Sequence, residues 1–394
     1  MRARAASQAL FALTLLWGTV LSVTLGFLQI DLFLPELAAL LAPLRAALAA
    51  LALLVAALGI GWTLVRAMAL PATTEEQWLL AGLLGLGAVG LLWLAVGMVL
   101  LPPLWATILL LALGIALLWW QRGPLPGLPA LPRLLLPLLV VMVMLPLLQA
   151  LQPPTSFDAL LYHVRLPELW LAQGSLFQSQ KAAPYFFPVL IEALFTPAYQ
   201  LGGDATPALL HWFYYLLALA LLWQMTRRFL PEISASLVLA LAVTIQMVPL
   251  LAGWSYLDLA LAAYQVGALW ALLRWREQPE SRWHWVAGAF AGFAMGVKYL
   301  SFITPVLGVL FILAVRRRTA LAPLVAFSLV AGLVGCPSYL RNLIGTGNPF
   351  FPFVLPSAHW DAFRAAWYGA TGTGIGFSLL ELLLVPWNTT LGLR

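Results

Sequence analysis

The chain is poor in charge, in lysine and in cysteine. Only 9% of its 394 residues are charged, its two lysines are Lys181 and Lys298, and its one cysteine is Cys336. A lone cysteine forms no internal disulfide and says nothing of redox compartment. No His/Cys spacing matches a zinc site. No basic patch is interleaved with aromatics, so no nucleic-acid partner is expected. With 63% hydrophobic residues and a mean hydropathy of +0.96, a soluble globular domain is excluded as well.

What is present is a series of apolar runs near the length that carries a helix across the hydrocarbon core. The runs are continuous rather than alternating, which favours helices over a closed barrel. The expected fold is an all-α integral membrane protein of about 11–12 transmembrane helices, with interfacial helices in a long outer loop. The first five spans are expected at 8–28, 46–66, 78–100, 104–121 and 134–152. The first is too long for a signal core and lacks a small-residue cleavage site, so it reads as a retained span. The stretch from Ala38 to Ala57, almost all Leu, Ala and Val, reads as lipid-facing bulk. Arg2, Arg4, Arg66 and the Arg122 to Arg133 linker fall on the cytoplasmic side, as the positive-inside rule requires. The net charge of +6 is therefore mostly topological.

Span five delivers the segment from Gln152 onward to the outer face. Pro153, Pro154, Pro167, Gly174 and Pro184 cut it into short pieces. Leu160, Leu161, Val164 and Leu171, with Trp170 beside them, are spaced for one apolar face of an interfacial helix. The piece from Tyr185 to Leu201 is short and holds Pro188, Glu192 and Pro197. It is expected to stay at the outer interface, because a crossing would place Arg227 and Arg228 outside. Further spans are expected at 206–224, 233–251, 257–274, 284–297, 300–315 and 320–338, with Lys298 at an outer turn and Arg341 outside after a break at Cys336–Pro337. The last apolar piece, 376–387, is half a span, as in a fragment of a longer protein. The expected division is a five-span N-terminal extension (1–152), a core with outer loops (153–360) and a C-terminal partial span (361–394).

This topology gathers Asp158, His163, Lys181, Glu192, Asp258, Lys298 and Arg341 on one side of the membrane. Ionisable groups at that boundary are costly unless solvated, paired or used. Each has a plain alternative. Asp158 and Asp258 can be helix-start carboxylates favoured by the dipole. Arg341 can snorkel from a span end to the headgroups, His163 can fill the interface, and His211 reads as packing.

The run F-D-A-L-L-Y-H-V-R-L-P followed by G-S-L resembles the first outer loop of the C-type glycosyltransferases, in the protein O-mannosyltransferase and aminoarabinose-transferase branch. The resemblance continues through Pro184 to Gly203, where that branch has a Lys/Pro element and then an interfacial helix ending in Gly, and through W-S-Y-L-D (Trp254 to Asp258), G-F-A-M-G-V-K-Y (Gly292 to Tyr299), and Y-L-R-N with G-T-G-N-P-F-F-P (Tyr339 to Pro352). It covers roughly residues 150–360. It departs in having about five spans before the first acidic loop and a lone Asp158 followed by Ala159.

The resemblance implies transfer of a sugar from a polyprenyl-phosphate donor to a lipid, glycan or protein acceptor, among membrane lipids, on the non-cytoplasmic side of the plasma membrane. A poor hydroxyl nucleophile needs a carboxylate to take its proton, and a single base with direct displacement inverts the anomeric centre. Asp158 is the expected base, and Asp258 is expected to orient donor or acceptor. A leaving phosphate is stabilised by fixed cations, here Lys298, Arg341 and Lys181. His163 and Glu192 complete the expected binding set. No cofactor is expected. A divalent cation between the two aspartates is the one candidate, and two carboxylates alone argue weakly for it. The rival readings are a transporter or lipid flippase, against which stands the absence of an internal repeat, and an inactive truncated relative.

Overall fold

The structure is a computed structural model, and it describes residues 37–121, 123–124, 127, 133–177, 182–316, 320–357, 359–370 and 378–391. The expected span at 8–28, Arg2, Arg4 and Lys181 lie outside the described residues. Among the described residues the chain is helical, with no strand. Six helices are long and apolar enough to cross a membrane: Leu41–Met68, Thr74–Gly97, Leu104–Gln121, Thr206–Phe229, Tyr299–Arg316 and Leu321–Thr346. Leu136–Ala150 and Glu232–Thr244 are shorter apolar helices.

We label the elements α1 (Leu37–Met68), α2 (Thr74–Gly97), α3 (Leu104–Gln121), α4 (Leu136–Ala150), α5 (Arg165–Gln173), α6 (Leu190–Gly202), α7 (Thr206–Phe229), α8 (Glu232–Thr244), α9 (Met247–Ala252), α10 (Asp258–Glu277), α11 (Trp283–Val297), α12 (Ile303–Arg316) and α13 (Leu321–Thr346). Two short helices follow, α14 (Ala362–Ala370) and α15 (Leu379–Leu391).

Helix α2 starts where its capping chemistry starts. The Thr73 hydroxyl accepts the Glu76 amide, and the Glu76 carboxylate accepts the Thr73 amide at 2.9 Å. Buried Arg274 of α10 donates to Glu76 Oε2 at 3.3 Å, to Pro71 O at 3.1 Å and to Glu277 Oε2 at 2.7 Å. One arginine thereby ties two helices that are far apart in sequence.

Four expectations change. The expected span 233–251 is broken into α8 and α9, because Ile245 turns extended (ψ 112°). Helix α10 carries Arg274, Arg276 and Glu277 at its end and α11 has only 15 residues, so neither meets the crossing test. The chain does not break at Cys336–Pro337. Helix α13 runs through Pro337, since a helix packed in a membrane bundle tolerates the one lost backbone bond. The stretch from Ala38 to Ala57 is not simply lipid-facing. Ala46, Ala50, Leu53, Ala56 and Ala57 form a buried face against α2 and α3, while Leu44, Leu48 and Leu51 stay exposed.

Small residues let these backbones approach. A Cβ added to Gly85 would collide with the Ala57 carbonyl oxygen, whereas one added to Gly332 of α13 meets nothing within 4 Å.

Helix α6 has 13 residues and is about 20 Å long at 1.5 Å per residue, too short to cross a core of about 30 Å. It does not lie on a lipid surface either. Leu190 to Ala198 are all buried, and α6 packs against α1, α2, α5 and α7. One continuous core runs from Ala46 in α1 to Ala331 in α13.

The close α1–α2 approach yields a stability prediction. Gly85→Leu is expected to cost about 1–3 kcal/mol through overpacking and to lower the thermal midpoint in detergent by several degrees. Gly332→Leu is expected to leave that midpoint unchanged.

Candidate functional site

Between α4 and α5 the chain makes one wide π-turn, Ala159–His163, with Asp158 at its start. Such turns take more residues per revolution than an α-helix and recur at functional sites. The wide turn also spoils the expected apolar stripe: Val164 and Trp170 are buried, while Leu160 and Leu161 are exposed. The residue turned inward is His163.

The Asp158 side chain makes no capping hydrogen bond, so it is not a helix-start cap. Its backbone amide donates to the Tyr256 hydroxyl at 3.4 Å, and Tyr256 lies two residues before Asp258. The first residue of α10 is Asp258, again without a side-chain cap bond. Its carboxylate instead accepts Lys298 Nζ at 2.6 Å, with both side chains about one-third exposed.

Helix α11 ends because the backbone at Lys298 turns extended (φ −147°, ψ 148°). A short turn, Tyr299–Phe302, then leads into α12. The buried Ser301 hydroxyl, bonded to Ala294 O at 2.6 Å, holds that turn and presents Lys298.

These pieces frame a cavity of about 430 Å³ walled by Tyr162, Glu192, Lys298 and Tyr299 on its polar side and by Phe187, Leu257 and Phe353 among its apolar residues. Phe353 arrives on the loop after α13. Asn348 Nδ2 folds that loop back by donating to Phe353 O and Leu355 O at 2.9 and 2.7 Å. Burial first, and then the charges of Asp158, Glu192 and Asp258, push the Tyr162 phenol above its ordinary value. It therefore stays a hydrogen-bond donor at any working pH, with three carboxylates within electrostatic reach.

Glu192 and His163 are both buried and bonded to each other, Oε1 to Nδ1 at 2.7 Å. Glu192 Oε2 has no hydrogen-bond partner among the described residues.

Arg341 does not reach the cavity wall. It is fully buried and donates to Leu176 O at 3.0 Å and Tyr185 O at 2.9 Å, with its guanidinium over the Phe186 and Trp170 rings. The expectation of a phosphate ligand is corrected for a physical reason. Because α13 continues through Pro337, Arg341 lies within a helix and its donors are spent on carbonyls of the loop after α5.

Sequence reasoning missed the role of His211. This buried side chain on α7 donates from Nδ1 to Trp254 O at 2.9 Å and Leu251 O at 3.0 Å, and accepts the Leu259 amide on Nε2 at 3.0 Å. Donor on one nitrogen and acceptor on the other define a neutral ring. His211 therefore staples the segment on both sides of Asp258. A histidine one turn into a span facing a break in the next apolar run was the available signal.

Among the described residues no group of three or more His, Cys, Asp or Glu side chains is gathered as a metal site. A larger cavity of about 550 Å³ lies among α1, α2, α4 and α7, lined by Leu54, Leu58, Trp78, Phe213 and Leu217. Glu75 is the one titratable group among its described lining residues, so no charge pair converges there.

The fold is that of a multi-pass helical membrane protein, with Tyr162, Glu192 and Lys298 on the wall of one cavity. The comparison with known families agrees. Residues 186–339 match the model of the dolichyl-phosphate-mannose-protein mannosyltransferase family, a C-type glycosyltransferase family. Over that segment the chain is similar to membrane glycosyltransferases that take their sugar from a lipid-phosphate donor. No curated protein and no solved structure matches the chain. The matched segment includes Glu192, His211, Asp258 and Lys298, and stops short of Asp158, His163 and Arg341.

Replacing His211 by Leu leaves the buried Leu259 amide without its acceptor, at about 1–3 kcal/mol, and unties the Leu251 and Trp254 carbonyls from α7, although each keeps a backbone amide. His211→Leu is expected to lower the thermal midpoint and to reduce sugar transfer at least ~10-fold. Wild-type values for both would show that the staple does not hold Asp258.

Proposed function

We propose that the chain transfers a sugar from a polyprenyl-phosphate donor to an acceptor hydroxyl at the non-cytoplasmic face, with inversion, and that Asp158 is the base. The observation that carries this reading is one cavity walled by Tyr162, Glu192 and Lys298, with Asp258 bonded to Lys298 and Asp158 within electrostatic reach of Tyr162. The acceptor oxygen attacks the anomeric carbon on the side opposite the phosphate. The new C–O bond forms as the sugar–phosphate bond breaks, and the bonding pair leaves with the phosphate. The acceptor proton passes to the Asp158 carboxylate.

Charge grows on the departing phosphate, so a fixed cation beside it lowers the barrier. Among the described residues of the cavity wall, Lys298 is the cation. Asp258 holds its ammonium in place and thereby orients the donor. The Tyr162 hydroxyl supplies a neutral donor to the same region. The apolar wall of Leu257, Val297, Leu300 and Phe353 suits the first isoprene units of the carrier.

The choice of face rests on charge bias. Arg66, Arg228, Arg274 and Arg316 close α1, α7, α10 and α12, and Asp258 opens α10 at the other end. Arginine-rich ends belong inside, which puts the cavity outside. The acceptor is a lipid, a glycan or a protein hydroxyl, each able to reach a site at that boundary.

The test is release of polyprenyl phosphate from a labelled polyprenyl-phosphate sugar by the reconstituted protein. Asp158→Asn is expected to lower the rate about 10²–10⁴-fold, the usual weight of a general base. Lys298→Met is expected to lower it about 10²–10³-fold, as for loss of one preorganised charge donor. Undiminished turnover by Asp158→Asn removes the base assignment.

A further inference from the structure

We infer that the buried His163–Glu192 pair is a positioning device that acts through Asp158, locking the π-turn that carries it onto α6 and against the loop that carries Asp258. The inference rests on the reading of Asp158 as the base.

The pair is an unusual use of a carboxylate. Both side chains are at most 2% exposed and the contact is 2.7 Å. Among the described residues Glu192 Oε2 is left without a hydrogen-bond partner. A buried ionisable pair with an unsatisfied oxygen is weak as a stabilising device, because desolvation offsets most of the attraction. Register and geometry are the better-attested use of such pairs.

The surroundings show which geometry is fixed. The His163 ring lies between Tyr162 at 4.0 Å and Tyr256 at 5.4 Å, centroid to centroid. Tyr162 belongs to the π-turn and walls the cavity. Tyr256 belongs to the segment before Asp258, and its hydroxyl accepts the Asp158 amide. His163 is therefore a wedge between the two acidic segments, and Glu192, on a helix buried on nearly every side, sets its depth and tilt. Glu192 itself is bound to the helix frame through Thr196, whose hydroxyl donates to the Glu192 carbonyl at 3.0 Å. Release of the wedge lets the turn relax at Ala159–His163, which moves the Asp158 carboxylate relative to the anomeric carbon. Misplacement of a reacting group by about 1 Å costs on the order of 10²-fold in rate.

The test is a double-variant cycle, assayed as release of decaprenyl phosphate from radiolabelled decaprenyl-phosphate mannose, with the protein reconstituted in vesicles. Glu192→Ala is expected to lower kcat about 10²-fold with the donor KM unchanged. Glu192→Gln, which keeps an oxygen that accepts from His163 Nδ1, is expected to restore kcat to within about 10-fold of wild type. On an Asp158→Asn background, Glu192→Ala is expected to add less than about 3-fold, since residues acting as one unit are non-additive. His163→Ala is expected to repeat that pattern, and it serves in place of Glu192→Ala if the latter does not fold.

A donor KM that rises with kcat unchanged would make Glu192 a ligand contact and overturn the inference. So would a full further 10²-fold loss on the Asp158→Asn background. If Asp158→Asn alone turns over normally, the base assignment and the inference fall together. If Asp158→Asn is inactive and the cycle is multiplicative, only the inference falls.

Discussion

Away from water, a polar atom must find its partner inside the protein, and this constraint sorts the buried charges among the described residues. Arg274 is consumed by Glu76, Glu277 and the Pro71 carbonyl. Arg341 is consumed by the Leu176 and Tyr185 carbonyls and two aromatic faces. His163 and Glu192 consume each other. Burying any of these alone costs several kcal/mol, so each is held by at least one partner, though Glu192 keeps one oxygen unsatisfied among the described residues. The Lys298–Asp258 pair and Asp158 are different, being only half-buried. Lys298 lines the cavity, and all three side chains keep contact with solvent.

The cavity is assembled from segments that are far apart in sequence, and each junction has an identifiable polar connector. His211 reaches from α7 to both sides of Asp258. The Tyr256 hydroxyl meets the Asp158 amide. Asn342 Nδ2 donates to the Tyr299 hydroxyl at 2.9 Å, and that hydroxyl donates to Phe351 O at 2.8 Å, which brings α13 and its following loop to the Lys298 turn. These neutral contacts carry no charge penalty. They place the titratable groups without altering the electrostatics that those groups need.

The family match covers part of this arrangement, from Phe186 to Tyr339. It contributes the Lys298–Asp258 pair, Glu192 and His211. The preceding segment contributes Asp158, Tyr162 and His163. The π-turn is where these two parts meet. Helices α1 and α2 pack directly on α6 and α7, so the spans before the first acidic loop form the wall behind the site.

Composition and run length alone determined a helical membrane protein, because hydrocarbon admits few other backbones. Charge bias along the chain also led to the expectation that Asp158, Glu192, Asp258 and Lys298 share one side of the membrane, since it orients the helices that carry them. What each side chain does there was decided only by tertiary structure. Arg341 and Lys298 look alike in sequence, each a cation beside a span. A helix that continues through Pro337 buries the first, and a backbone turned extended after Val297 exposes the second. His211 looked like packing until the break after α9 folded against it. Such outcomes depend on which carbonyl or carboxylate from another part of the chain arrives within 3 Å, and a linear pattern of residue types holds no record of that distance.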